Sequence, residues 1–110
     1  MTGSFNEREK AFESKWAHDE ELRFRVITRR NKLLALWAAG EMGLQAQAAQ
    51  DYVKAVLNVE VRSGKDEDIV RKIQDDFVAA KIARTEHLVR LKLDELFATA
   101  KAEVANESKA

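Results

Sequence analysis

The sequence predicts an all-α protein, a small four-helix bundle preceded by a flexible N-terminal arm. Two observations support this fold class. The 110 residues include no proline and only four glycines, the two residue types that most often separate short strands. No segment shows sustained alternation of apolar and polar residues, whereas several segments repeat apolar residues with the helical period. Long helices joined by short connections follow from this pattern.

The first predicted helix of the bundle spans about residues 19–39. Its apolar stripe follows the helical period and consists of Leu22, Val26, Leu33 and Trp37, widened by Ile27 and Leu34 on one side and by Leu36 on the other. Gly40 and Gly43 come directly after this segment, and glycine is common at the C-terminal ends of helices. The two glycines therefore predict where the helix ends.

The second predicted helix, residues 44–62, has the clearest separation of an apolar side from a polar side. The apolar side consists of Ala49, Tyr52, Val53, Val56 and Val59, and the polar side of Gln47, Gln50, Asp51, Lys54 and Asn58. The β-branched residues from Val53 to Val61 also allow a strand, but the sequence offers no second strand to pair with it. We therefore expect a helix.

The last two helices are predicted at residues 66–82 and 85–104. Asp66 and Thr85 are expected to cap them, because short polar side chains accept hydrogen bonds from free backbone N–H groups at helix starts. The inner stripe of the third helix consists of Ile69, Val70, Ile73 and Phe77, and that of the fourth of Val89, Leu93, Leu96, Phe97 and Ala100. The short connections predict antiparallel neighbours in a bundle over residues 19–105, with a frayed C-terminus at 106–110.

Residues 1–18 lie outside the predicted bundle and form the arm. Phe5, Phe12 and Trp16 would share one narrow seam of a helix, within roughly 40° of arc, in otherwise polar surroundings. Because a helix of this length and polarity is marginal in water, we expect the arm to be disordered alone and to fold when its seam enters a partner's groove. In a second interpretation, Phe12 and Trp16 extend the first helix and pack on the bundle.

Charge is distributed unevenly although the formal net charge is zero. Residues 1–21 hold six acids and three bases, whereas residues 22–40 hold five bases and no acid. This arrangement suits the dipole of a helix that begins near residue 19. The basic run Arg23–Lys32 also suggests an alternative function, a helical adaptor that binds nucleic acid or an acidic protein. The possible contacts are Phe24, Arg29 and Arg30, although a sequence pI of about 6.7 counts against nucleic acid.

The sequence offers little for catalysis or for a cofactor. His18 and Glu21 share a helix face, but a metal site in a bundle needs a second acid–histidine pair on another helix, and His87 lacks one. No serine or threonine is marked as an activated nucleophile, and no glycine-rich loop could hold a phosphate. We therefore expect no enzymatic activity, no catalytic residues, no metal and no cofactor. The absence of a signal peptide or a long apolar run predicts a cytoplasmic protein.

Two segments resemble a known family. FNEREKAFESKWAHDEELRF, residues 5–24, and RRNKLLALWAAGEMG, residues 29–43, resemble the zeta subunit of the α-proteobacterial F1Fo-ATP synthase, a natural inhibitor of the F1 ATPase. The resemblance is close over residues 5–43 and looser beyond them. The chain departs from the family pattern at Trp16, where phenylalanine is common, and at residues 26–28, where the family is richer in alanine.

The resemblance implies a four-helix bundle whose N-terminal arm inhibits the ATPase. The arm would become helical in a catalytic interface between the α and β subunits of F1, reach the γ subunit, and block the rotation that ATP hydrolysis drives. Its partners would be these F1 subunits, with no nucleic acid and no direct membrane insertion, and it would associate with the inner membrane only through F1. Carried onto this sequence, the inhibitory residues are Phe5, Arg8, Glu9, Phe12 and Trp16.

Overall fold

The structure, a computed structural model, describes the backbone of residues 3–107 and the side chains of residues 10–107. The elements are α1 (Gly3–His18), α2 (Glu20–Glu41), α3 (Ala46–Ser63), α4 (Asp66–Ala79) and α5 (Glu86–Glu107). Within this range every element is a helix and no strand occurs, which confirms the all-α class. The described helices number five rather than four, because α1 occupies the segment that was expected to be a disordered arm.

The helices of the body differ from the predicted ranges mainly at two C-terminal ends. α4 ends at Ala79 rather than at residue 82, because Lys81 adopts a left-handed backbone with φ of 60°. The N–H of Ile82 then donates to the carbonyl of Phe77 at 2.8 Å, which closes the helix end. α5 continues to Glu107, beyond the predicted residue 104. The remaining residues of the predicted frayed end, 108–110, lie outside the described range.

α2 is the central helix, and its buried face differs from the predicted stripe. Leu22 and Val26 are buried as expected, but Leu33 and Trp37 are only partly buried. The buried face continues through Leu34, which was expected beside the stripe, and through three alanines that were not predicted, Ala35, Ala38 and Ala39. This shift follows from the position of α2, which contacts α3 and α5 on different sides and so buries a wider face than one stripe. Alanines on that face allow neighbouring helices to approach closely.

The main core lies between α2, α3, α4 and the first half of α5. The predicted inner stripe of α4 is fully buried, and Val53 and Val56 of α3 are buried beside it. The edge of Trp37 packs against Phe77, with ring centroids 5.7 Å apart. Because these apolar stripes meet at one centre, side-chain burial is the main contribution to the packing of α2, α3, α4 and α5 against one another.

A polar network crosses the buried face of α2. Arg30 is 6% exposed and Asn31 is 1% exposed. The guanidinium of Arg30 donates to both carboxylate oxygens of Asp66, at 2.7 and 3.3 Å, and its Nε donates to Oδ1 of Asn31 at 3.0 Å. Nδ2 of Asn31 and Oγ1 of Thr28 donate to the two carboxylate oxygens of Glu60, at 2.8 and 2.7 Å. The network therefore connects α2 with the end of α3 and the start of α4.

Of the two residues that were predicted to cap helices, one does so in the structure. Oγ1 of Thr85 accepts a hydrogen bond from the N–H of Leu88 at 3.1 Å, which confirms it as the cap of α5. The prediction for Asp66 is wrong. Lys65 occupies the capping position of α4, and the Asp66 carboxylate is instead paired with Arg30. The carboxylate of Asp66 is thus engaged by a buried arginine and does not cap the helix.

Candidate partner-binding site

One residue, Asp19, separates α1 from α2. Its backbone is extended, with φ of −115° and ψ of 106°, and its carboxylate accepts a hydrogen bond from the N–H of Leu22 at 3.1 Å. α2 therefore begins with its own cap and does not depend on α1 for its first turn. On the other side of the joint, Nη1 of Arg23 donates to the carbonyl of Ala17 at 3.3 Å, near the end of α1.

The aromatic residues of α1 pack against a groove between α2 and α5, here called the α2–α5 seam. The seam consists of the buried residues Leu22, Val26, Ala100 and Val104 and the partly buried residues Leu33 and Phe97. Phe12 and Trp16 are partly buried against it. The Trp16 ring meets the Phe97 ring at 5.6 Å between centroids, with the planes 66° apart. The two rings therefore pack on the body, as in the second interpretation of the sequence, but α1 is a separate helix and does not extend α2.

Lys101 connects the two sides of this contact. Its Nζ lies 2.8 and 3.0 Å from the two carboxylate oxygens of Glu13, 4.9 Å from the centroid of Trp16 and 5.4 Å from that of Phe97. The indole N–H of Trp16 also donates to Glu13 at 3.2 Å. We call these four residues the α1 latch, in which α1 supplies Glu13 and Trp16 and α5 supplies Phe97 and Lys101.

Two of the five predicted inhibitory residues can be placed in this contact. Phe12 and Trp16 both lie on the face of α1 that covers the α2–α5 seam. Phe5, Arg8 and Glu9 belong to α1 by their backbone, but their side chains lie outside the part of the chain whose side chains are described.

Sequence reasoning did not predict the ion pair between Glu13 and Lys101, and it placed Phe97 only in the bundle core. The ion pair joins residues from opposite ends of the chain, so no local spacing could reveal it. A weak signal was available on α5, where Phe97 and Lys101 stand one helical turn apart and so share a face.

The predicted secondary contact has one exposed member. Phe24 is 62% exposed. Beside it in the sequence, Arg25 lies 3.4 Å from Glu107, and Arg29 lies 2.8 Å from Glu103 and 2.6 Å from Glu107. The hydrogen bonds to Glu107 and Glu103 raise the pKa of Arg29, and the hydrogen bond from Arg29 lowers the pKa of Glu107.

Arg30 is placed unfavourably for contact with a partner, because it is buried and both ends of its guanidinium are occupied within the body. The basic run Arg23–Lys32 is therefore not a continuous free cationic stripe, since Arg25, Arg29 and Arg30 are each paired with an acid of the same chain. This geometry counts against the alternative of nucleic-acid binding, which depends on cations available for phosphates.

The described residues contain no group of three or more histidine, cysteine or acidic side chains placed to hold a metal ion. None of the described helices combines the length and the apolar character that a bilayer crossing requires. His18, the histidine nearest the joint, is exposed at the end of α1. The candidate site is the contact between α1 and the α2–α5 seam.

These features define a class, a small all-α protein in which a largely polar N-terminal helix packs on a helical body through a few aromatic side chains. The comparison with known families is more specific. The model of the family described as ATPase inhibitor subunit zeta matches residues 1–103, from α1 through most of α5. The chain belongs to this family, as its motifs indicated. Among curated proteins, none matches the chain.

Proposed function

We propose that this protein inhibits ATP hydrolysis by the F1Fo-ATP synthase and that α1 is the inhibitory element. The observation that carries the proposal is the match to an ATPase inhibitor subunit family, which begins at residue 1 and so includes all of α1. In support, α1 carries aromatic side chains on one face and is joined to the body by the single residue Asp19.

In the proposed mechanism α1 leaves the α2–α5 seam and enters a catalytic interface between the α and β subunits of F1. Phe12 and Trp16 then pack in the enzyme's cleft, together with Phe5, while Arg8 and Glu9 make polar contacts. The N-terminal end of α1 reaches the γ subunit and prevents the rotation that hydrolysis drives. The protein itself catalyses nothing in this mechanism and needs no cofactor.

The contacts of docked α1 are weak enough for a cleft to replace them. The Glu13–Lys101 pair is partly exposed, and such pairs contribute about 0.2–1 kcal/mol. An edge-to-face pair such as Trp16 and Phe97 contributes about 0.5–1.5 kcal/mol beyond its area burial. Full burial of a large apolar side chain contributes about 1.5–3 kcal/mol, and Phe12 and Trp16 are only partly buried here. A closed cleft would therefore bury more of both rings than the seam does.

The body is proposed to support binding through a secondary contact centred on Phe24. An aromatic side chain that is 62% exposed favours such a contact, since it gains apolar burial when a partner covers it. Arg29 lies on the same helix one turn or more away, and its pairing with Glu103 and Glu107 would fix its guanidinium in place. The protein would act in the cytoplasm, held near the inner membrane only by F1.

The direct test is titration of the full-length protein into the F1 sector of its own organism during steady-state ATP hydrolysis. A form that lacks residues 1–18 is titrated in parallel. We expect inhibition by the full-length protein only, while the truncated form still unfolds cooperatively. Equal inhibition by both forms would show that α1 is not the inhibitory element. If neither form inhibits, the proposed function itself is wrong.

A further inference from the structure

We infer that the α2–α5 seam is an intramolecular binding site for α1 that competes with the enzyme and so lowers the potency of inhibition. The inference rests on the proposed function, because it concerns the regulation of the same helix. Phe12 and Trp16 cannot pack in the seam and in a cleft of F1 at once. Each docked molecule is therefore a molecule whose inhibitory rings are covered.

The α1 latch gives the seam its specificity for α1. Both carboxylate oxygens of Glu13 lie within ion-pair distance of Lys101, and the same ammonium group lies over the rings of Trp16 and Phe97. On α1 the acid and the indole are three residues apart, so that they share a face. One cation on α5 thus contacts both an acid and an aromatic ring of α1.

The apolar surface of the α2–α5 seam also favours the binding of a helix. Its floor consists of buried apolar side chains of α2 and α5, and Phe97 and Leu33 are only partly buried even with α1 in place. Removing α1 would leave these side chains in water beside the charge of Lys101. An apolar groove of this kind is stabilised by a cover. α1 is the cover that the structure shows.

Competition between the seam and the enzyme predicts the direction in which the inhibition constant changes. When only the undocked form can bind the enzyme, the apparent inhibition constant equals the intrinsic constant divided by the undocked fraction. A substitution on α5 that weakens docking, without touching α1, therefore makes the protein a stronger inhibitor. A seam that merely stabilises the fold would give no change or a weaker inhibitor.

The test uses Lys101→Glu in the full chain, with Lys92→Glu as a matched control. Lys101→Glu places a second carboxylate opposite Glu13 and removes the cation from Trp16. Lys92 lies on the same helix, pairs with Glu95 at 2.9 Å and lies 5.9 Å from a tryptophan ring, but that ring is Trp37 of the body. Both variants change the net charge equally, so the difference between them isolates the contact with α1.

Two quantities are measured for each variant. The first is the indole N–H signal of Trp16 in a ¹H–¹⁵N correlation spectrum, with the signal of Trp37 as internal reference. The second is the inhibition constant for ATP hydrolysis by F1. We expect Lys101→Glu to move the Trp16 signal toward that of an exposed indole. We also expect its inhibition constant to fall about threefold to thirtyfold, the range given by an exposed ion pair plus a cation–π contact. Lys92→Glu should leave the Trp16 signal and the inhibition constant unchanged.

The double variant Glu13→Lys with Lys101→Glu reverses the ion pair, and its Trp16 signal should return toward that of the unmodified protein. A return of this signal would also show that glutamate at position 101 is compatible with a folded body. The inference is overturned if Lys101→Glu leaves the Trp16 signal in place, or if it frees Trp16 without strengthening inhibition. If the unmodified protein does not inhibit F1 at all, the proposed function fails, while the Trp16 signal still reports whether the latch holds α1.

Discussion

The edge of Trp16 on α1 rests against Phe97 on α5, with the ring centroids 5.6 Å apart and the planes inclined by 66°. The indole N–H of Trp16 also donates to Glu13, which in turn pairs with Lys101. A phenylalanine at this position would have no N–H to donate. Trp16 therefore adds a polar contact to the docked state of α1 that phenylalanine would not supply.

The first prediction follows from this contact. Trp16→Phe should dock α1 less tightly, because it loses the hydrogen bond to Glu13 and part of the ring contact with Phe97. A hydrogen bond of this kind contributes about 0.5–1.5 kcal/mol, so amide hydrogen exchange in α1 should become about twofold to tenfold faster. Trp37→Phe is the control, since Trp37 packs on Phe77 in the main core. It should lower the melting temperature and leave exchange in α1 unchanged. Identical exchange in Trp16→Phe and the unmodified protein would contradict the prediction.

The second prediction concerns the joint. Asp19→Ala should lower the free energy of unfolding by about 1 kcal/mol, because the first turn of α2 loses the acceptor for the N–H of Leu22. Urea denaturation measures the loss, and amide exchange at Leu22 locates it. Asp94→Ala removes an exposed acid from the middle of α5 and should cost much less. An equal loss in the two variants would mean that the cap does not stabilise the fold.

The third prediction concerns the buried guanidinium. Asp66→Ala should destabilise the body by about 1.5–3 kcal/mol, because it leaves Arg30 buried without its carboxylate partner. The lower end of the range is favoured, since the Asp66 side chain is 54% exposed and water can replace part of the contact.

Glu67→Ala is the matched control for Asp66→Ala. It removes an acid from the same first turn of α4, where both acids suit the helix dipole. Its cost should stay within about 0.3–1 kcal/mol. If urea denaturation gives the two variants equal stability, the pair with Arg30 contributes nothing beyond the helix dipole.

The fourth prediction concerns alkaline pH. Burial, together with the hydrogen bond from the Tyr52 hydroxyl to Asp76 at 2.8 Å, raises the pKa of Tyr52 above its ordinary value near 10. Above pH 10 the unfolded chain therefore loses this proton while the folded protein keeps it. The free energy of unfolding must then fall as the pH rises.

Tyr52→Phe removes this contribution, so its stability should fall less steeply between about pH 9 and 11 than that of the unmodified protein. At neutral pH the variant should be modestly less stable, by about 0.5–1.5 kcal/mol, because the hydrogen bond to Asp76 is gone. Urea denaturation across this pH range is the measurement. Parallel stability curves for the two proteins would show that Tyr52 does not titrate differently in the folded state.

The sequence predicted the helices of the body well, because α3 and α4 each have one apolar face and pack on one side. The stripes around Val53 and Ile73 could therefore be found from spacing alone. α2 was harder, since it is buried on several sides and uses alanines there, which no single period distinguishes. The role of Asp66 was missed because a carboxylate at a helix start resembles a cap unless the buried arginine opposite it is known.

The candidate site was only half predictable for a similar reason. Phe12 and Trp16 were recognised because three aromatic residues on one polar helix are conspicuous. Glu13 and Lys101 look like ordinary surface charges, and their pairing depends on how α1 lies across α5. Local sequence carries no information about that crossing. The rings bind either the protein's own seam or the enzyme, and the difference in binding free energy between the two cannot be deduced from a sequence pattern.

The single-residue joint at Asp19 has a consequence for the strength of all these contacts. A longer linker would let α1 sample a larger volume, which would lower its effective concentration near the α2–α5 seam. A linker of one residue keeps this effective concentration high, so weak contacts are sufficient for docking. A small rotation at the same joint also moves the far end of α1 over a large distance. A helix of 16 residues is about 24 Å long, and a turn of about 30° at Asp19 carries its far end through roughly 12 Å. Two backbone torsions thus set the reach of the entire N-terminal helix.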